Sequence, residues 1–279
     1  MAVLGLERFN RYFGSQLLGT DEGDSIFGFG GNDRIYGGMG VDYISGGNGD
    51  DQIYAESGAR PNVFEFWGND TVRGGNGNDT ISYYHSVDPV TIYGDHQQAS
   101  EGNLQDGNDT IWGGWARDTI IGGGGDDTII GGRGDDYIIT DYGYGTTPGY
   151  YGTNTVWGGA GQDTVIVSGW DTLVINRGDS NPVDGAQDIV AHFDRAHAHL
   201  ELPGDATASN YDETYISGRG FDAALNMANY MLKSVDYVFI TDGQNGYVFA
   251  DTDGDTRADI GVTMAGLTST DQFSHYHIT

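Results

Sequence analysis

Apolar residues recur at every ninth position through much of this chain, with aspartate and glycine filling the space between them. From Gly113 to Ile139 the chain reads GGWARDTII GGGGDDTII GGRGDDYII, three copies of one unit. Each copy opens on glycine, passes an aspartate (Asp118, Asp127, Asp136) and ends in a short run centred on Ile120, Ile129 or Ile138. A run this short buries nothing alone, so copies must stack into a solenoid to form a core. As a strand, its middle residue points inward and its neighbours outward. Two units make one coil, so residues eighteen apart share an edge.

The register extends from Gly19 to about Val174. Units 19–27, 28–36, 37–45 and 46–54 place Asp24, Asp33, Asp42 and Asp51 at the sixth position and Ile26, Ile35, Ile44 and Ile53 at the inward one. Residues 55–64 are read as a longer unit with Val63 inward. Units 65–73 and 74–82 bring Asp70 and Asp79. Unit 83–91 lacks the glycines and is read as holding phase through Asp88 and Val90, and 92–103 as a unit with a bulged loop. The stretch 104–139 is regular, with Asp109, Asp118, Asp127 and Asp136. After a degenerate, tyrosine-rich 140–148 come Asn154, Asp163 and finally Asp171 with Leu173. The pattern predicts roughly 17 short strands in two sheets. The fold class is all-β, a parallel β-roll (β-solenoid).

The ends depart from the period. Residues 1–18 carry Phe9, Tyr12, Phe13, Leu17 and Leu18, enough to cover the open end of a solenoid as a helix or an extra strand. Phe221 to Lys233 reads as a helix with a stripe of Phe221, Leu225, Ala228 and Leu232. Two alternating strands, from Tyr247 and from Ala258, flank the turn Asp251–Asp259. That turn resembles a calcium loop, but Val262 stands where an EF-hand needs a bidentate glutamate. It is read as a hairpin turn holding at most one weak Ca2+. The expected organisation is an N-terminal cap at 1–18, the roll at 19–182 and a small α+β C-terminal cap at 183–279.

Composition sharpens the chemistry. The chain has 48 glycines, no cysteine and a net charge of −29. Disulfides and thiolate sites are excluded. Such acidity argues against nucleic acid as a partner, because phosphates need a basic patch. No run is long enough to span a membrane. The start lacks the pattern of a cleaved secretory signal, since Ala2–Leu6 stops at Glu7 and Arg8. Aspartates stacked at strand spacing repel one another unless cations lie between them. Carboxylate oxygens are the ligands Ca2+ prefers, and glycines allow the tight turns that aim carbonyls inward. The twelve candidate metal ligands are Asp24, Asp33, Asp42, Asp51, Asp70, Asp79, Asp109, Asp118, Asp127, Asp136, Asp163 and Asp171. His197, His199, His275 and His277 lie close enough in sequence to suggest zinc, but alternate strand positions favour plain surface histidines. There is no H-E-x-x-H and no G-x-S-x-G, and no separate catalytic domain is left over, so no enzymatic activity is expected.

The in-phase G-G-x-G-x-D units resemble the RTX, or hemolysin-type calcium-binding, repeat family. The resemblance implies several Ca2+ ions, each held between stacked turns, with shared ions for Asp24 and Asp42, Asp33 and Asp51, Asp109 and Asp127, and Asp118 and Asp136. The segment from Asp188 to Leu202 is similar to the family's closing segment, with His192 and Ala198 departing from its inner aspartates. The family implies export by type I secretion through a C-terminal segment, here within 183–279, and an extracellular or cell-surface location. The function expected is a secreted calcium-binding structural protein of a surface layer, matrix or filament, with further copies of itself as partner. The alternative is a carbohydrate-binding module for surface polysaccharide, on the strength of 18 Tyr and 5 Trp. Ice binding and an enzyme rank below these.

Overall fold

A computed structural model describes residues 7–9, 16–54, 68–95, 106–141, 152–218 and 220–279. They form two compact units, Met1–Asn154 and Thr155–Thr279.

The first unit is a parallel roll of thirteen strands: β1 (Glu7–Phe9), β2 (Gln16–Leu18), β3 (Ser25–Gly30), β4 (Arg34–Tyr36), β5 (Tyr43–Asn48), β6 (Gln52–Tyr54), β7 (Thr71–Asn76), β8 (Thr80–Ser82), β9 (Thr91–Tyr93), β10 (Thr110–Gly114), β11 (Thr119–Gly123), β12 (Thr128–Arg133) and β13 (Tyr137–Asp141). Odd strands make one sheet and even strands the other, in chain order within each. The short apolar runs cannot pair with their sequence neighbours, because each unit ends in a turn that carries the chain to the opposite sheet. Each run therefore pairs one coil on, Ser25 with Tyr43 and Thr110 with Thr128. The inward residues Ile26, Ile35, Ile44, Ile53, Val72, Ile81, Ile92, Ile111, Ile120, Ile129 and Ile138 are all fully buried. Each such side chain contributes roughly 1.5–3 kcal/mol of transfer free energy.

The N-terminal segment is the first coil of this roll, with β1 paired to β3 and β2 to β4 in the regular register. Tyr12 and Phe13, expected in a cap, lie outside the described residues, as does Val63.

The eighteen-residue rule fails at four places, one of them between Thr91 and Thr119, which pair at a separation of 28 residues. Tyr43 pairs with Thr71 and Gln52 with Thr80, so these neighbours stand 28 residues apart instead of eighteen. Unit 83–91 does not hold the expected phase. Ile92, not Val90, takes the inward slot, pairing with Val72 and Ile120. Val90 stands instead where an aspartate would be, its N–H donating to Asp118 Oδ1 at 3.0 Å. The reason is local. Without glycines, Tyr83–Ser86 closes an ordinary turn (Ser86 N–H to Tyr83 O, 2.8 Å) and Pro89 has no N–H to give. The chain then needs two more residues to reach the opposite sheet. The last place is 140–148, since the N–H of Asp127 donates to the side chain of Asn154, 27 residues on. Among the described residues, β3 through the strand at Thr172 make fourteen strands.

The second unit has β14 (Thr155–Ala160), β15 (Thr164–Ile166), β16 (Thr172–Val174), β17 (Asp188–Ala191), β18 (His199–Glu201), β19 (Tyr211–Tyr215), α1 (Phe221–Met231), β20 (Tyr237–Thr241), β21 (Asn245–Ala250) and β22 (Ile260–Ala265). β17 pairs parallel with β15 and β18 with β16, so the segment from Asp188 winds one more coil. β20, β21 and β22 are antiparallel. β20 has no counterpart in the nine-residue pattern. The helix packs Phe221, Ala224, Ala228 and Leu232 against Val238, Ile240, Tyr247 and Phe249. Among the described residues, no helix is long and apolar enough to cross a membrane.

Candidate metal centre

The turns of the roll are built from backbone that only glycine adopts easily. Gly47 has φ +112°, and a Cβ there would lie 2.6 Å from the carbonyl oxygen of Phe29 in the neighbouring coil. At Gly113 the missing Cβ leaves a slot flanked by Asp118 Oδ2 at 2.7 Å and by the Gly131 carbonyl of the next coil at 2.5 Å. A side chain would fill the space on which these oxygens converge.

The aspartates form ladders along the two edges. In each step the N–H of one aspartate donates to Oδ1 of the aspartate one coil on: Asp24 to Asp42 at 2.8 Å, Asp42 to Asp70 at 2.8 Å and Asp118 to Asp136 at 2.8 Å on one edge. On the other edge the chain of bonds is Asp33 to Asp51 (2.8 Å), Asp51 to Asp79 (2.7 Å), Asp79 to Asp109 (2.8 Å) and Asp109 to Asp127 (2.9 Å). In the second unit Asp163 N–H donates to Asp188 at 3.0 Å. The four pairs named from sequence are all adjacent rungs, and the longer spacings add Asp42–Asp70, Asp51–Asp79 and Asp79–Asp109. All twelve candidate aspartates are buried. Asp171 ends its edge: its carboxylate accepts from Ser168 N–H at 2.8 Å, and its carbonyl accepts from His199, whose preceding residue is Ala198.

Each rung thus uses Oδ1 for the backbone. The second oxygens of Asp42, Asp51, Asp79, Asp109 and Asp118 are buried with no hydrogen-bond donor. Buried polar atoms are nearly always satisfied, so a column of such oxygens calls for a cation. Without one the charged form is unfavourable. Burial, then the neighbouring carboxylates, pushes Asp109 up to about 10 and Asp79 to about 9, while Asp51 and Asp118 are raised to about 7. Backbone donors offset part of this, as Asp51 N–H does for Asp79.

The RTX calcium-binding nonapeptide repeat (4 copies) matches residues 16–44, 27–59, 66–82, 105–138 and 149–179. The chain carries RTX calcium-binding repeats. Its repeats bind Ca2+, and the buried carboxylate columns fit several such ions. Among solved structures, the RTX roll is similar to the AlgE6R2 subunit of the Azotobacter vinelandii mannuronan C5-epimerase, at 19% identity, covering 57% of this chain and 91% of that one, with a TM-score of 0.31. The AlgE6R3 subunit of the same enzyme gives 18% identity, 66% and 84% coverage and a TM-score of 0.24. The extracellular lipase LipA of Serratia marcescens gives 16% identity and a TM-score of 0.31, with 95% of this chain spanning 38% of that one. No curated protein matches the chain.

The RTX roll also places carboxylates that the period misses. Asp188 continues the Asp163 edge, and burial, then Asp163, raises it to about 8. Its signal was legible, since Asp188-Ile-Val190 repeats the aspartate-to-inward-residue spacing and Val190 is fully buried. Asp95 is buried and accepts from Gly124 N–H at 2.8 Å. Nothing periodic marks it, because it follows the slipped strand β9. Asp88 lies off the ladder, accepting from Gly68 N–H at 3.1 Å.

Other candidate sites are already engaged. Ligand atoms of Asp251, Asp253 and Asp259 lie within 4.8 Å of one another. The Arg177 guanidinium donates to Asp253 at 2.6 Å and to Asp259 at 2.9 Å, so this loop has its own cation. Among the described residues, no metal-ligating group of three includes a histidine. His197 meets Asp194 at 2.8 Å and lies against Trp170 at a tilt, while His277 Nε2 lies 2.8 Å from the Arg195 carbonyl.

Proposed function

We propose that this chain is a secreted, non-catalytic structural protein that winds on Ca2+ outside the cell and then self-associates in a surface layer, matrix or filament. The supporting observation is the column of buried second carboxylate oxygens. Two carboxylates about 4 Å apart repel by roughly 4 kcal/mol even at an effective dielectric of about 20. Repeated along both edges, this opposes winding until divalent cations enter. The ligands are Asp24, Asp33, Asp42, Asp51, Asp70, Asp79, Asp109, Asp118, Asp127, Asp136, Asp163 and Asp171, with turn carbonyls such as Gly131 O beside them. Bound Ca2+ supplies charge neutralisation and cross-linking of neighbouring coils, so its binding free energy becomes folding free energy. A chain that is unwound at low calcium suits passage through a secretion channel. RTX-repeat proteins are typically secreted, and residues 183–279 are the segment assigned here to capping and export.

Self-association is assigned to the outward face of β11 and β13. Ile121 and Ile139 are paired neighbours there, and both are half-exposed. Apolar files that survive to the surface usually mark contacts. The eighteen-residue count would add Trp157 to that file. Asn154 stands on the Asp127 edge, however, so that count fails at this step. Light scattering tests the reading. Association should appear in millimolar Ca2+, vanish in chelator and be lost in Ile139→Asp. A wound particle that stays monomeric at high concentration would overturn it.

A further inference from the structure

The turn at Tyr83–Ser86, where the repeat lacks its glycines, also builds a cleft. It is open to solvent, has a volume of about 230 Å³ and is lined by Tyr84, Trp112, Trp115, Ile130 and Arg133 with turn glycines. Trp112 and Ile130 are paired on the outward face of β10 and β12. Tyr84 belongs to the turn that displaces the register. That turn is pinned to β10 by the Tyr83 N–H to Trp112 O bond (2.9 Å) and the Trp115 N–H to Ser86 O bond (2.8 Å). His85 meets Trp115 edge-on at 5.7 Å and Tyr84 at 4.5 Å. The Tyr84 ring is 59% exposed, which a solvated surface gains nothing from. Departures from a sequence's own rules concentrate at functional sites.

Arg133 sets the ligand's charge. Its guanidinium stacks over the Trp115 ring at 4.9 Å, and among the described residues it makes no hydrogen bond or ion pair. Arg73 is held in the same way, 4.5 Å over the Tyr93 ring, but it does not line the cleft. Arg34 is bonded to Gln52, Arg117 to Asp135, and Arg177 to Asp253 and Asp259. Arg133 is held by an aromatic ring and leaves its planar fork of donors unspent, the geometry that takes a carboxylate in two parallel bonds. Apolar walls with a few placed polar groups are the usual make-up of small-ligand sites. An aromatic wall suits the apolar face of a sugar ring, and the cleft has room for one ring of a longer chain.

We infer that this cleft binds a uronate unit of an acidic polysaccharide, with the sugar face against Trp115 or Tyr84 and the carboxylate on Arg133. The inference rests on the calcium-wound roll, because β10 and β12 meet only when Asp109 and Asp127 are stacked. The test uses the full chain in Ca2+, with winding first verified by circular dichroism, and a glucuronate hexamer titrated by calorimetry. Binding is expected. Arg133→Ala should weaken it by about tenfold or more, Arg133→Lys should restore only part, and Trp115→Ala should remove it while the calcium midpoint for winding stays put. A glucose hexamer and polyglutamate should each bind at least about tenfold more weakly than the uronate. A wound roll that ignores the uronate, binds it equally after Arg133→Ala, or binds polyglutamate as well would overturn the site alone. A chain that fails to wind in Ca2+ would overturn the site together with the reading beneath it.

Discussion

Asp109→Asn separates the charge of a ladder rung from its hydrogen bond. The amide oxygen can still accept the Asp79 N–H, which meets Asp109 Oδ1 at 2.8 Å. Asn154 does this natively, accepting the Asp127 N–H at 2.7 Å. What changes is the carboxylate. In the metal-free folded roll, burial, followed by repulsion from Asp127, Asp79 and Asp95, pushes Asp109 from 3.8 up to about 10. Folding at pH 7 must then place a proton on it. At roughly 1.4 kcal/mol per pH unit, that costs about 4 kcal/mol. Asparagine needs no proton, but its extra buried N–H group returns about 1–3 kcal/mol of penalty. Metal-free winding should therefore become easier by about 1–3 kcal/mol. Calcium-driven winding should become harder, because a charged ligand is gone, and its midpoint should rise about tenfold or more. Two circular dichroism titrations measure this, one with a stabilising osmolyte in chelator and one with Ca2+. The two midpoints should move in opposite directions. A shift of both in the same direction, or of neither, would refute it.

Asp127→Ala should raise the calcium midpoint and destabilise the roll by about 2 kcal/mol or more, since it strips a donor-bonded rung and strands the Asp109 N–H. Asp88→Ala, off the ladder, should cost under about 1 kcal/mol by calcium-saturated urea unfolding, and equal effects would contradict the register. Gly47→Ala forces a Cβ onto the Phe29 carbonyl at φ +112° and should prevent winding of its coil. Gly178→Ala, at φ +91° with open space around it, should cost only about 1–3 kcal/mol in the same assay. For pH, burial raises Asp42 to about 6, and Asp51, Asp70 and Asp118 to about 7, from 3.8. Raised folded values mean that, without metal, their stabilising contribution is full below 3.8 and lost as pH climbs to 6–7. Chelated protein should gain β signal on acidification from pH 7 to 4, whereas in Ca2+ protons compete for the ligands and the calcium midpoint should rise.

The nine-residue period made the roll, the inward isoleucines and the ladder aspartates readable, because one phase fixes a strand's inward residue and its turn's ligand together. It could not count coils. Residues 55–64 and 140–148 keep roughly the right length, and sequence alone cannot tell whether neighbouring strands stand eighteen residues apart or about nine more. Only the Tyr43–Thr71 pairing and the Asp127–Asn154 bond decide that. At 83–91 the decoy was stronger, since Asp88 and Val90 imitate the motif. The missing glycines were the physical warning, because without them the turn cannot be made in nine residues. The cleft was half legible. Trp112 and Ile130 were visible as outward apolar positions, but Tyr84 and Arg133 join them only through the slipped turn and the stacking of β10 on β12. Asp188 was missed because its distance from Asp163 breaks the period, although its neighbours keep the pattern.

The central claim is that the buried carboxylate columns keep the roll unwound until Ca2+ enters them. Far-UV circular dichroism with hydrodynamic radius, followed from chelator to millimolar Ca2+, tests it most directly. The account predicts an expanded chain with little β signal in chelator and a compact, β-rich particle in Ca2+, reached cooperatively and reversed by chelator. A compact, β-rich particle in chelator at pH 7, unchanged by added Ca2+, would contradict it.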